Sequence, residues 1–184
     1  GSGFIKEKKY FNINKKLSHI GVVSSSAYFS LDCVIDKDAL TRKELSKYLD
    51  CNIFSRINDI PEKKEFDLIS ICVPDQYHYT VLNEVVKLNP KLVIIEKPIS
   101  DHPDNTNKII SLYNKNKIKL IVNYTRKFIP FYQSLAKELR SQKIISSQVL
   151  YGNGLMHNGC HIIDLFKTLF GEISSYKVLS NIKD

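Results

Sequence analysis

The sequence predicts an α/β fold, a parallel sheet covered by helices on both faces. Three observations carry this. Apolar runs of strand length, such as Leu68–Val73 and Leu92–Ile95, alternate with amphipathic stretches of helix length. The runs are almost continuously apolar, as strands buried on both faces require. Polar residues gather just after these runs, where open parallel sheets bind ligands.

Taken in order, Leu31–Ile35 reads as a strand ending at Asp36. Ala39–Leu49 reads as a helix, because Leu40, Leu45 and Leu49 are apolar while Lys43, Glu44 and Lys47 are polar. Ile53–Phe54 is a very short strand, and the stretch before Leu31, with Ser24-Ser25-Ser26, reads as an insertion. Asp67–Val73 is a buried strand stopped by Pro74, and Tyr79–Leu88 a helix burying Val81, Leu82, Val85 and Val86. Leu92–Glu96 is a strand stopped by Pro98, Thr106–Asn114 a helix, and Ile118–Asn123 a further strand. After Arg126 the texture changes. Phe131–Leu139 reads as a helix, Ser147–Tyr151 as a strand, and Tyr151-Gly-Asn-Gly154 as a loop. Leu155–Phe170 is a strongly apolar helix stopped at Gly171, and Tyr176–Leu179 a possible strand.

The 184 residues are 43% hydrophobic and 25% charged, ordinary globular values that allow a real core. The formal net charge is +8. Its lysines, as in Lys6–Lys9, Lys63–Lys64 and Lys115–Lys119, are spread over several faces and loops. Nucleic-acid binders concentrate their basic residues on one element, so no nucleic-acid partner is expected. The apolar runs are too short to cross a membrane. Cys33, Cys51, Cys72 and Cys160 are scattered without CxxC pairing, which predicts reduced thiols and a cytoplasmic location.

The chain opens Gly1-Ser2-Gly3-Phe4-Ile5-Lys6, a G-x-G-x-x with Lys6 where a third glycine usually stands. In a dinucleotide fold the first glycine makes a tight turn and the second lets a pyrophosphate approach a helix N-terminus. Gly-Ser-Gly is also the composition of a cloning remnant. Asp36, at a strand's carboxyl end, can accept hydrogen bonds from an adenosine ribose. Its alternative role is a helix N-cap, which Asp38 can fill instead. Asp36 favours NAD, while Lys37 and Arg42 leave NADP open. Further on, Cys72-Val-Pro-Asp-Gln-Tyr-His78 follows one buried strand and Glu96-Lys-Pro98 the next. A lysine held between an acid and a rigid proline can donate to a substrate oxygen or move a proton.

These segments resemble the glucose–fructose oxidoreductase / inositol dehydrogenase (Gfo/Idh/MocA) family. The resemblance runs through Gly1-Ser-Gly-Phe-Ile, Val34-Ile-Asp36, Phe66–His78, Glu96-Lys-Pro98, Asn123–Pro130, Gly159–Leu165 and Phe170-Gly171. It implies a Rossmann-type dinucleotide-binding domain over residues 1–124 and the beginning of an α+β substrate domain over 125–184. It implies hydride transfer between NAD(P) and a sugar, cyclitol or nucleotide-sugar, and a possible homo-oligomer of the full-length protein. The cofactor would meet Gly1, Gly3, Phe4, Ile5 and Asp36 at one end. Val73, Pro74, His78, Glu96, Lys97 and Asn123 would meet it at the other. Lys97 and His161 are the catalytic candidates and are expected to converge on one cleft. The family's acid, four residues before the histidine, falls on His157.

Set against the family, the chain lacks the first strand and most of the second domain's sheet. It therefore reads as a fragment, or as a degenerate cofactor-binding protein without activity. His157, His161 and Asp164 share a predicted helix face that could also bind zinc, but no further ligand cluster supports a metal.

Overall fold

The computed structural model describes residues 18–62 and 64–178. The chain divides into two compact units between Val122 and Asn123.

In the first unit, α1 spans His19–Ser24, β1 Cys33–Ile35, α2 Ala39–Leu45 and β2 Asn52–Phe54. They are followed by β3 Leu68–Ile71, α3 His78–Val85, β4 Leu92–Ile95, α4 Pro103–Lys115 and β5 Lys119–Val122. The strand positions follow the apolar runs: β1, β3, β4 and β5 are one to three residues shorter than expected, and β2 is one residue longer. The helix expected over Ala39–Leu49 closes at Leu45, but the amides of Tyr48 and Leu49 still bond the Leu45 carbonyl at 3.0 Å. The segment read as an insertion contains α1, whose N-cap Ser18 accepts from the Gly21 amide at 3.1 Å.

All described pairings are parallel. β1 pairs with β2, and β4 lies between β3 and β5, with Ser70 opposite Ile94 and Ile94 opposite Ile121. In the usual doubly wound order the first strand lies between the second and the fourth. Here β1 and β3 are the corresponding neighbours, and no described residue forms a strand between them.

Strand alternation decides what each face meets. Ile71, Val93 and Ile95 turn to one face, where Leu82 and Val85 of α3 and Ile109 and Tyr113 of α4 bury them. The buried Tyr113 hydroxyl donates to the Leu82 carbonyl at 3.0 Å, so the ring packs without an orphaned polar group. The opposite face carries Ser70, Cys72, Ile94 and Glu96, none of them fully buried. Coverage on both faces is thus complete on the α3–α4 side only, among the described residues.

Leu82 has 0% exposure at the centre of this layer. Leu82→Ala is expected to destabilise the protein by about 2–5 kcal/mol, read from urea unfolding midpoints at unchanged slope. A loss under about 1 kcal/mol would mean that this layer is not the core.

In the second unit, α5 spans Pro130–Leu139 and α6 Cys160–Phe170. A π-helical turn, Gly154–Gly159, leads into α6, so the apolar helix expected from Leu155 is α-helical only from Cys160. Gly171, at φ +94°, ends it. Two expected strands do not form. Residues 147–151 and 176–178 are exposed and irregular, and Leu179 lies outside the described residues. Their apolar residues have no ladder to join, and a lone strand leaves its main-chain groups unpaired. No described helix is long and apolar enough to cross a membrane.

Candidate cofactor and active site

Parallel strands bring their following residues to one edge. β3 is followed by Val73 and Pro74, β4 by Glu96 and Lys97, and β5 by Asn123. β1 is followed by Asp36 and Lys37, and the Lys37 ammonium lies 4.2 Å from the centre of the Tyr77 ring, in the turn after β3. That cation–π contact joins the loops after β1 and β3.

Asp38, not Asp36, caps α2: its carboxylate accepts from the Thr41 amide at 3.0 Å and hydroxyl at 2.6 Å. Those bonds, the hydroxyl's first, hold the Asp38 carboxyl below the usual range. Asp36 is left for other work. Its Oδ1 accepts from the Asp38 amide at 2.9 Å, while Arg42 donates to the Asp36 main-chain carbonyl at 2.7 Å. Lys37 and Arg42, the cations that could receive a 2′-phosphate, are thus both engaged.

His78 is 1% exposed and stands at the start of α3. Its Nδ1 lies 2.5 Å from the Pro98 carbonyl and its Nε2 2.9 Å from the Val73 carbonyl. Both partners are acceptors, so the ring is the donor in this tie. The ring therefore ties the loop after β3 to the loop after β4. His78, a cofactor contact in the sequence reading, is turned inward, with both ring nitrogens at main-chain carbonyls. Lys97 is half-buried, and the Lys97–Pro98 peptide is cis.

Glu96 meets a partner that sequence reasoning missed. Its Oε1 lies 3.1 Å from His19 Nε2, and His19 Nδ1 lies 2.5 Å from the Ser70 hydroxyl. No local pattern around His19 announces this, because the partners lie 51 and 77 residues away. Gly1, Gly3, Phe4 and Ile5 lie outside the described residues.

In the second unit, His161 is half-buried on the first turn of α6, edge-on to Tyr124 with ring centres 5.6 Å apart. One turn on, the Asp164 carboxylate accepts from Lys127 at 3.2 Å, and Lys127 also lies 5.7 Å from the centre of the Tyr124 ring. Burial pushes the Tyr124 hydroxyl up. Tyr124 and Lys127 were legible only as part of the Asn123–Pro130 stretch. His157 is exposed on the π turn. Single π turns occur often at functional sites, because they re-aim the side chains around them. Among the described residues no cluster of three or more His, Cys, Asp or Glu side chains could hold a metal ion.

The family model described as an oxidoreductase family with an NAD-binding Rossmann fold (Gfo/Idh/MocA) matches residues 1–124. An inositol 2-dehydrogenase of Corynebacterium glutamicum (strain R) is 33% identical over 107 residues, 57% of this chain and 31% of its own. An inositol 2-dehydrogenase of Rhizobium meliloti (strain 1021) is 23% identical over 126 residues, 68% of this chain and 38% of its own. The crystal structure of the WlbA dehydrogenase from Bordetella pertussis, in complex with NADH and UDP-GlcNAcA, has the same fold. It superposes with a TM-score of 0.65 at 15% identity, over 76% of this chain and 50% of that one. The matches therefore take in half or less of each relative's length.

Proposed function

The chain belongs to the Gfo/Idh/MocA oxidoreductase family, with its NAD-binding Rossmann fold, and from that premise we propose that the protein moves a hydride between NAD and a hydroxyl-bearing carbon of a cyclitol, sugar or nucleotide-sugar. The observation that carries this reading is Asp36, a carboxylate at the end of a parallel strand inside the matched region, released from capping by Asp38. Only its Oδ1 has a hydrogen bond among the described residues, which suits a ribose 2′-hydroxyl and opposes a 2′-phosphate. With Lys37 over Tyr77 and Arg42 on a main-chain carbonyl, the reading is NAD rather than NADP.

Bound NAD supplies the hydride acceptor, and the protein supplies orientation and proton transfer. Asp36 holds the ribose. Val73, Pro74 and Lys97 border the nicotinamide, on loops that His78 fixes to each other. His161 and Lys97 are the proton-transfer candidates of this reading. The relatives named for inositol and for a UDP-sugar ligand support a polyhydroxylated substrate.

The test is NADH formation by the whole protein with myo-inositol, scyllo-inositol, simple hexoses and UDP-linked sugars. Substrate-dependent NADH formation with at least one of these is expected. NAD binding without reduction in any of them would instead favour a cofactor-binding protein without turnover.

A further inference from the structure

We infer that Cys72, with His19, Ser70 and Glu96 around it, is a covalent modification site: a thiolate that captures soft electrophiles and low-molecular-weight disulfides. The cluster follows from the sheet. Ser70 and Cys72 are two residues apart on β3 and its extension, so they share a face. The Glu96 amide bonds the Ile71 carbonyl at 3.2 Å, which sets Glu96 beside Cys72 on that same face. This is the face opposite the α3–α4 layer, and His19 of α1 stands over it.

The contacts form a chain of polar groups. Glu96 Oε1 is 3.1 Å from His19 Nε2, His19 Nδ1 is 2.5 Å from Ser70 Oγ, and Ser70 Oγ is 3.7 Å from Cys72 Sγ. A carboxylate on one ring nitrogen steadies an imidazolium, and an imidazolium beside a thiol steadies the thiolate. The protonation behaviour agrees. The hydrogen bond to Cys72, then that to Glu96, push His19 up to about 10 against the opposing effect of burial. Burial alone would raise the Cys72 thiol, but the His19 hydrogen bond and charge, with the Ser70 bond, bring it below the ordinary value.

The other thiols provide an internal contrast. Burial pushes Cys33 and Cys51 up. Cys160 donates its S–H to the Met156 carbonyl at 3.0 Å. A cation, Lys64, also acts on Cys33 and Cys51, but there burial outweighs it.

In the proposed step the Cys72 thiolate attacks one sulfur of a small disulfide. A Cys72–S bond forms, the disulfide's own S–S bond breaks, and the departing half leaves as a thiolate that takes a proton from water. His19 and Glu96 hold the charge and are unchanged. No further oxidant is consumed, and the step does not depend on the dinucleotide reading.

The test is alkylation of the native protein with iodoacetamide from acid to alkaline pH, with each cysteine followed by peptide mass spectrometry. The Cys72 labelling rate is expected to reach half its plateau below the usual thiol value of about 8.5 and below the midpoints of Cys33 and Cys51. Each unit of lowering should speed labelling at neutral pH by about threefold, because a larger thiolate population outweighs its weaker nucleophilicity. His19→Gln should move the Cys72 midpoint up and leave those of Cys33 and Cys51 in place. Glutathione disulfide should add first at Cys72. A wild-type Cys72 midpoint at or above those of Cys33 and Cys51 overturns the inference, as does a midpoint unmoved by His19→Gln. The wild-type profile decides alone if that variant does not fold.

Discussion

His161→Ala in the whole protein is expected to lower turnover by about a hundred- to ten-thousand-fold while leaving NAD affinity unchanged, the loss typical of a general acid or base. An imidazole changes charge near neutral pH without strong perturbation, which suits it to exchange a proton with a substrate hydroxyl. His161 has a rigid setting for this: Tyr124 meets its ring edge-on, and Asp164 on the next turn is held by Lys127. Lys97→Ala should give a loss of the same order. His157→Ala should cost much less, because His157 is exposed on the π turn. Steady-state kinetics with cofactor binding measured separately will distinguish these roles. Turnover lost in His157→Ala and kept in His161→Ala would move the base one turn back, and turnover kept in both would remove this helix from the chemistry.

His78→Ala is expected to cost about 1–3 kcal/mol of stability. The substitution removes the ring that faces the Val73 and Pro98 carbonyls, and a hydrogen-bonding group left without its partner costs about 1–3 kcal/mol. The loops after β3 and β4 would lose their tie as well, so NAD affinity should fall in the same variant. Urea unfolding gives the first quantity and a cofactor titration the second. A stability loss under about 1 kcal/mol would show that His78 does not tie these loops.

The first unit was legible because its signals are local and repeated. Val93 and Ile95 are apolar for the same reason that they are buried, and Pro74 and Pro98 stand three residues beyond the ends of β3 and β4. Asp36 could be placed at a strand terminus, and its freedom from capping followed once Asp38 was weighed against it. What sequence reasoning missed depends on distant pairs. His19 meets Ser70 and Glu96 through the tertiary fold, and nothing near His19 in the chain encodes that. The two carbonyls that the His78 ring meets are likewise beyond any local pattern. Apolar content alone suggested strands at 147–151 and 176–178, yet a strand needs a neighbour to pair with. The π turn at Gly154–Gly159 lies in a helical pattern whose apolar periodicity does not distinguish the two helix types.

The central claim, that the carboxyl ends of these parallel strands bind NAD through Asp36, is tested most directly by titrating NAD and NADP against the whole protein and its Asp36→Asn variant. The wild type should bind NAD more tightly than NADP. Asp36→Asn should weaken NAD by about 10- to 100-fold, the worth of a hydrogen bond to a charged group, and narrow the preference between the two. Tighter binding of NADP by the wild type, binding of neither cofactor, or an Asp36→Asn variant with unchanged affinities would contradict the claim.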